Sequence, residues 1–206
     1  DMGGANVKTG AVSITSGALT PTTATWEVMS AYSSTAWNSA PASMTKQGTL
    51  KFTSPLGGNI RTPQGMNDVI FDGSSGTPTW TIITQGFQAE NITIGASGTA
   101  GAVSTVDTGS NRPLNAKKTC QIGRYGVLNC NASTCEFGAV NYTAGKGLDL
   151  LAGGSPGATF NGGTGTHTYS SIVIAADSNV DYTPTTGTAT ITAESDAGWA
   201  LYIPSG

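Results

Sequence analysis

Apolar and polar residues alternate one for one through much of this chain, in short runs broken by turn formers. In GTATITAES, Thr188, Thr190 and Thr192 alternate with Ala189, Ile191 and Ala193. In GWALYIP, Trp199, Leu201 and Ile203 alternate with Ala200 and Tyr202. A period of two in a β-branched, aromatic-rich run marks a strand with one buried face. The breaks DYTPTTG and SDAG carry the Pro, Gly and Asp that tight reversals need. The segment from Thr166 to Pro204, which opens with THTYSSIVIAAD, therefore reads as an antiparallel meander.

The same grammar holds upstream. GTLKFTSP, NDVIFDG, PTWTIITQGF and ENITIGASG read as strands, punctuated by Ser54-Pro55, Leu56-Gly57-Gly58, Thr62-Pro63 and Gly73-Ser74-Ser75-Gly76. ATWEVMSAY reads as a strand with Trp26 and Val28 on one face, because Thr, Trp and Val favour that state. SSTAWNSAPASMTKQG reads as a loop with Trp37 as its anchor. Turn signals every eight to twelve residues or so predict an antiparallel β-sandwich, immunoglobulin-like or jelly-roll-like. No segment spaces its apolar residues helically for three turns, and no exact internal repeat is visible. The expectation is an all-β chain with more than a third of its residues in strand and little or no helix. An N-terminal arm over 1–17 precedes one domain over 18–206. A division into two smaller domains would fall in the glycine-rich stretch near 96–115, but neither half has an obvious core of its own.

Composition adds the compartment. Only 10% of the 206 residues are charged, against about 25% in an ordinary soluble domain. Thr (32), Ser (20) and Gly (29) dominate instead, so hydroxyls rather than charges solvate the surface. Such a surface predicts an exported, extracellular protein, and a chain that opens on Asp1 predicts a signal peptide already removed. The net charge of −3 offers no footprint for nucleic acid. Lys117-Lys118, the one basic pair, reads as a solvated loop, and no stretch predicts membrane insertion.

Candidate chemistry is sparse, and neither an enzymatic activity nor a cofactor is expected. Gly153-Gly154-Ser155-Pro156-Gly157 fits the G-x-S-x-G form of a nucleophile elbow, but Pro156 has no N–H to give an oxyanion and no helix is predicted after it. The twelve carboxylates are scattered. Asp177, Asn179 and Asp181 resemble the start of a calcium loop, but Tyr182 and Thr188 stand where glycine and a bidentate acid are needed. Cys120, Cys130 and Cys135 predict one disulfide and one thiol left over, since exported chains meet oxidising conditions. Spacing does not separate Cys120–Cys130 pairing from Cys130–Cys135. Zinc is disfavoured, because these steps are not finger spacing and the single histidine, His167, is far away in sequence. QIGRYGVLN, between Cys120 and Cys130, predicts a hairpin. Asn91, Asn131 and Asn141 open N-x-S/T sequons, three being the number chance gives at this composition. Trp26, Trp80 and Trp199 read as core, and Trp37 as the one ring free to stack on a sugar.

The N-terminal sequence GGANVKTGAVSITSGAL resembles the start of strand-exchanging fimbrial subunits, over about 17 residues, in its alternating arm followed by a Gly-x-Val-x-Ile strand. The resemblance implies a sandwich that lacks a strand and is completed by the arm of the next subunit, with Val7, Val12 and Ile14 as plugs and Gly10 at the close approach. It departs from that pattern in the cysteine missing after the first strand, in length and in its last run. The resulting expectation is a structural subunit of an extracellular, pilus-like filament or surface assembly that partners itself. The alternative is an adhesive module, secreted or on a phage tail, that binds surface glycans.

Overall fold

The computed structural model describes residues 3–30, 35–39, 43–61, 65–83, 86–95, 102–138, 147–151, 155–175, 179–192 and 201–202. They hold twenty-two short strands and no helix. The all-β expectation stands; the antiparallel sandwich does not. Every strand pairing among the described residues is parallel. The chain winds into a β-solenoid of about seven turns.

Each coil lays one strand in a first sheet, turns a corner, lays a strand in a second sheet and returns one level on. The first sheet stacks Val7–Thr9, Thr25–Val28, Thr49–Phe52, Met66–Phe71, Phe87–Ile94 and Leu114–Ile122. There it forks. Cys135–Phe137, His167–Tyr169 and Ala189–Ile191 continue from the first half of Leu114–Ile122, while Leu148–Leu150, Ile172–Ile174 and Leu201–Tyr202 continue from the second half. A register shift between Ala89 and Asn91 precedes the fork. The second sheet stacks Val12–Ile14, Thr35–Ser39, Gly57–Arg61, Thr79–Ile82, Ser104–Asp107, Gly126–Asn129, Thr159–Asn161 and Asp181–Thr183. Ala18–Leu19 and Ser43–Met44 form a third, small ladder.

The expectation failed at one step. Alternation reports which face of a strand is buried, not which strand lies beside it. His167–Tyr169, read as the start of a meander, pairs with Ala189–Ile191, and Ile172–Ile174 pairs with Leu201–Tyr202. QIGRYGVLN is likewise a corner and not a hairpin: Leu114–Ile122 lies in the first sheet and Gly126–Asn129 in the second. The stretch read as a loop around Trp37 supplies the strands Thr35–Ser39 and Ser43–Met44. Both sheets run through the described part of the glycine-rich stretch, 102–115, which gives them Ser104–Asp107 and the start of Leu114–Ile122. The arm pairs in its own chain, Val7 against Trp26 and Val12 against Trp37, as the first coil of the stack.

Stacking in register turns the alternation into vertical rows. Val28, Phe52, Phe71, Ile94, Ile122 and Leu150 are successive partners down one row. Trp26, Leu50, Val69, Ile92, Cys120, Leu148 and Ile172 form the next. Both are buried between the sheets, against Trp37, Ile60, Trp80 and Ile82 from the second. Phe52 and Phe71 lie ring on ring, with centroids 5.0 Å apart and planes 8° from parallel. Facing outward, polar rows bond along the stack: Asn91 donates to Asp68 at 2.7 Å and Asn161 to Asn129 at 2.8 Å. Where coils turn most tightly a side chain is excluded. Gly163 has a φ of 67°, and a Cβ there would strike the carbonyl of Asn131 in the coil above.

This packing predicts a sharp contrast. Phe71→Ala empties a fully buried stacked position and is expected to cost about 3–5 kcal/mol in denaturant unfolding. Leu56→Ala, at a side chain 83% exposed, is expected to stay within about 0.5 kcal/mol of the unmodified chain. Equal costs at the two positions would contradict the inside-outside assignment.

Candidate functional site

The chemistry that stands out lies inside the stack, at the lower branch of the fork. The strand Cys135–Phe137 sits directly on His167–Tyr169, so that Cys135 and His167 are register partners although 32 positions apart in the chain. Cys130 reaches the same place from the corner after Gly126–Asn129. Its N–H donates to the Asn161 carbonyl at 2.9 Å. Its own carbonyl accepts the Ser133 N–H at 2.9 Å and the Thr108 hydroxyl at 2.7 Å. Ser133 closes the corner by donating its hydroxyl to that of Thr108 at 2.7 Å. Asn131, with a φ of 52°, takes the left-handed turn that asparagine tolerates.

The sulfurs of Cys130 and Cys135 and a ring nitrogen of His167 all lie within 4.8 Å of one another. All three residues are fully buried. The imidazole is held edge-on by aromatic rings, with centroids 6.1 Å from Phe137, 6.1 Å from Phe160 and 5.9 Å from Tyr169. Its Nδ1 lies 2.8 Å from the Tyr169 hydroxyl. The Tyr182 ring stacks on Phe160, with centroids 5.4 Å apart. His167 Nε2 is buried without a hydrogen-bond partner.

The two thiols are driven apart. The hydrogen bond from Cys130 pulls Cys135 down, and the His167 ring adds to that pull against the opposing effect of burial. Burial pushes Cys130 up, and the neighbouring Cys135 pushes it further. Cys120, in the row of Leu148, is pushed up by burial and then by Cys135. The arrangement offers two soft sulfur donors and one imidazole nitrogen, closed off from solvent.

The predicted disulfide is replaced by three free, buried thiols. His167, set aside as remote, is brought against Cys135. The signal was present in weak form. Thr134-Cys135-Glu136-Phe137, Thr166-His167-Thr168-Tyr169 and Thr188-Ala189-Thr190-Ile191 share one polar-apolar pattern on three successive coils. The backbone treats them alike, since the Cys135 N–H donates to Thr166 O at 3.0 Å and the His167 N–H to Thr188 O at 2.8 Å.

The other candidates fare as follows. Val7 and Ile14 are half-buried and Val12 is buried, all in the first coil, while a Cβ on Gly10 would touch the Ser30 hydroxyl at 3.0 Å. Asp177 and Asn141 lie outside the described residues. Asn179 and Asp181 are exposed beside the strand Asp181–Thr183, and no further group of three ligating side chains occurs among the described residues. The amide nitrogen of Asn91 is spent on Asp68, and that of Asn131 on Asp107 at 2.8 Å, so a glycan at either would break a rung-to-rung bond. Trp37 is 1% exposed and stacks edge-on with Trp26, which leaves no exposed aromatic ring for a sugar among the large exposed apolar side chains described. Trp26 and Trp80 are core, as expected, and Trp199 lies outside the described residues. Ser155 is an exposed turn residue.

No family model, no curated protein and no solved structure matches this chain.

Thiol counting checks the site directly. Denatured without reductant, the protein is expected to titrate three thiols per chain; folded, it is expected to react at essentially none of them, because all three are buried. A count of one in the denatured protein would restore the disulfide.

Proposed function

We propose that this chain is a structural subunit of an extracellular assembly, extended by stacking the end coil of one copy on the opposite end coil of the next. The observation that supports this most is the condition of the two ends of the stack. Among the described residues, Val7–Thr9 and Val12–Ile14 are paired on one side only. At the other end the same holds for Asp181–Thr183, Ala189–Ile191 and Leu201–Tyr202. Among the described residues each edge presents unpaired backbone donors and acceptors, the feature that native β-proteins usually cap or blunt. The apolar rows are open there too, with Ile191 37% and Leu201 45% exposed.

Both ends carry the same parallel geometry, so one can continue the other at the ordinary strand spacing of about 4.8 Å. Such an interface joins two different surfaces and propagates rather than closing. Backbone hydrogen bonds supply its strength and the alternation supplies its register. The arm then needs no exchange. Val7, Val12 and Ile14 stay in their own first coil and serve as the acceptor edge. A weakly charged, hydroxyl-rich surface with a net charge of −3 suits export and leaves little repulsion between copies. The reading gives the chain a mechanical part rather than a catalytic one.

Sedimentation velocity and negative-stain microscopy of the full chain across a concentration series test this. Fibres one coil stack wide are expected, lengthening with concentration. The double variant Ile191→Lys, Leu201→Lys is expected to stop elongation while the circular dichroism of the single subunit stays unchanged. An unmodified protein that remains monomeric at every concentration would overturn the proposal.

A further inference from the structure

We propose that Cys130, Cys135 and His167 hold a single Zn²⁺ ion inside the solenoid. The inference needs only the interior of one chain and is independent of the stacking proposed above.

Geometry comes first. Zinc takes sulfur at about 2.3 Å and imidazole nitrogen at about 2.0–2.1 Å in a tetrahedral arrangement, which sets donor atoms roughly 3.6–3.8 Å apart. The three donors here already lie within 4.8 Å of one another, so side-chain adjustments of about an ångström close the site around an ion. The backbone does not have to move. Cys135 and His167 are fixed one rung apart by the parallel ladder, and Cys130 is fixed by the bonded corner with Ser133, Thr108 and Asn161.

The second observation is the state of the imidazole. A buried ring nitrogen without a partner is costly, and His167 Nε2 is one. Its other nitrogen lies 2.8 Å from the Tyr169 hydroxyl. A histidine that ligates a metal is usually fixed in this way, its second nitrogen donating to an oxygen that sets tautomer and ring orientation. The rings of Phe137, Phe160 and Tyr169 pack edge-on around the imidazole. An ion at Nε2 supplies the missing partner.

Charge selects the ion. A dry core tolerates a charged group only when it is compensated. Two thiolates and a neutral imidazole carry two negative charges, which a divalent ion cancels and a monovalent one does not. Thiolate and imidazole donors together favour a soft or borderline ion, and carboxylate-seeking calcium or magnesium is excluded by the absence of oxygen ligands in the set. Three protein ligands leave one coordination position for a small donor such as water. Cys120 lies outside the group of three and serves as the internal control.

The full chain, purified with reductant and stripped with a chelator, is titrated with Co²⁺ as a spectroscopic stand-in for Zn²⁺. The expected result is one Co²⁺ per chain, with thiolate charge-transfer absorption in the near ultraviolet, strong visible bands of a tetrahedral site, and loss of both on adding one equivalent of Zn²⁺. Cys120→Ser is expected to keep the spectrum. Tyr169→Phe is expected to weaken the affinity about 10–100-fold, as loss of an orienting partner does. Zn²⁺ is expected to raise the melting temperature of the unmodified chain. The assignment is overturned if the folded, reduced chain develops no thiolate-to-cobalt absorption, if Cys120→Ser abolishes it, or if reductant-free protein carries a Cys130–Cys135 disulfide and no metal.

Discussion

The constraint on which everything else rests is the parallel, in-register hydrogen bonding between successive coils. It holds neighbouring strands about 4.7–4.9 Å apart and sets each residue over a fixed partner in the next coil. A side chain stacked in one coil therefore has its neighbours above and below chosen by register. The stacked rings of Phe52 on Phe71 and of Phe137 on Tyr169, with centroids 5.0 and 5.3 Å apart, are this spacing expressed in side chains. The outward rows follow the same rule, with asparagine bonded to the aspartate or asparagine one coil away.

Such a lattice makes exceptions costly. An apolar row accepts an apolar residue at every level, whereas a polar residue placed in it must find a partner within one rung. Thr108, Ser133 and the Cys130 carbonyl satisfy one another at the corner, and His167 reaches Tyr169. The Cys135–His167 step, set into a row whose other members are Phe87, Leu114 and Ala189, is the exception with ligand chemistry. Near-vertical stacking brings the two together, and nothing local in the sequence of either strand does.

The element-level reading was legible and the pairing was not. Alternation in Leu50-Lys51-Phe52 and in Trp80-Thr81-Ile82 marked strands and their buried faces correctly, and Trp26 and Trp80 lie in the core as that pattern implied. Direction was lost because the turn residues that reverse a hairpin also turn a corner between two sheets; Gly123 and Gly126 do the latter. The repeat was hidden by uneven coil length, 19 positions from Val7 to Trp26 but 32 from Cys135 to His167. Trp37 was misplaced because small polar neighbours flank it and look like a loop. The site was illegible for the same reason as the fold: its residues meet through register, and register is not a local property.

Distance along one register row tests the coil stack most directly. Lys8, Glu27, Lys51, Ile70, Thr93, Gln121, Asp149 and Val173 are successive register partners. Spin labels on introduced cysteines at positions 8, 93 and 173, with the native thiols buried and unlabelled, can be measured by pulsed dipolar spectroscopy. At about 4.8 Å per rung, Lys8 to Thr93 should give about 19 Å and Lys8 to Val173 about 34 Å, rising linearly with the number of coils between them. Distances that do not grow with rung number, as in a two-sheet antiparallel sandwich, would contradict the parallel stack and every inference drawn from it.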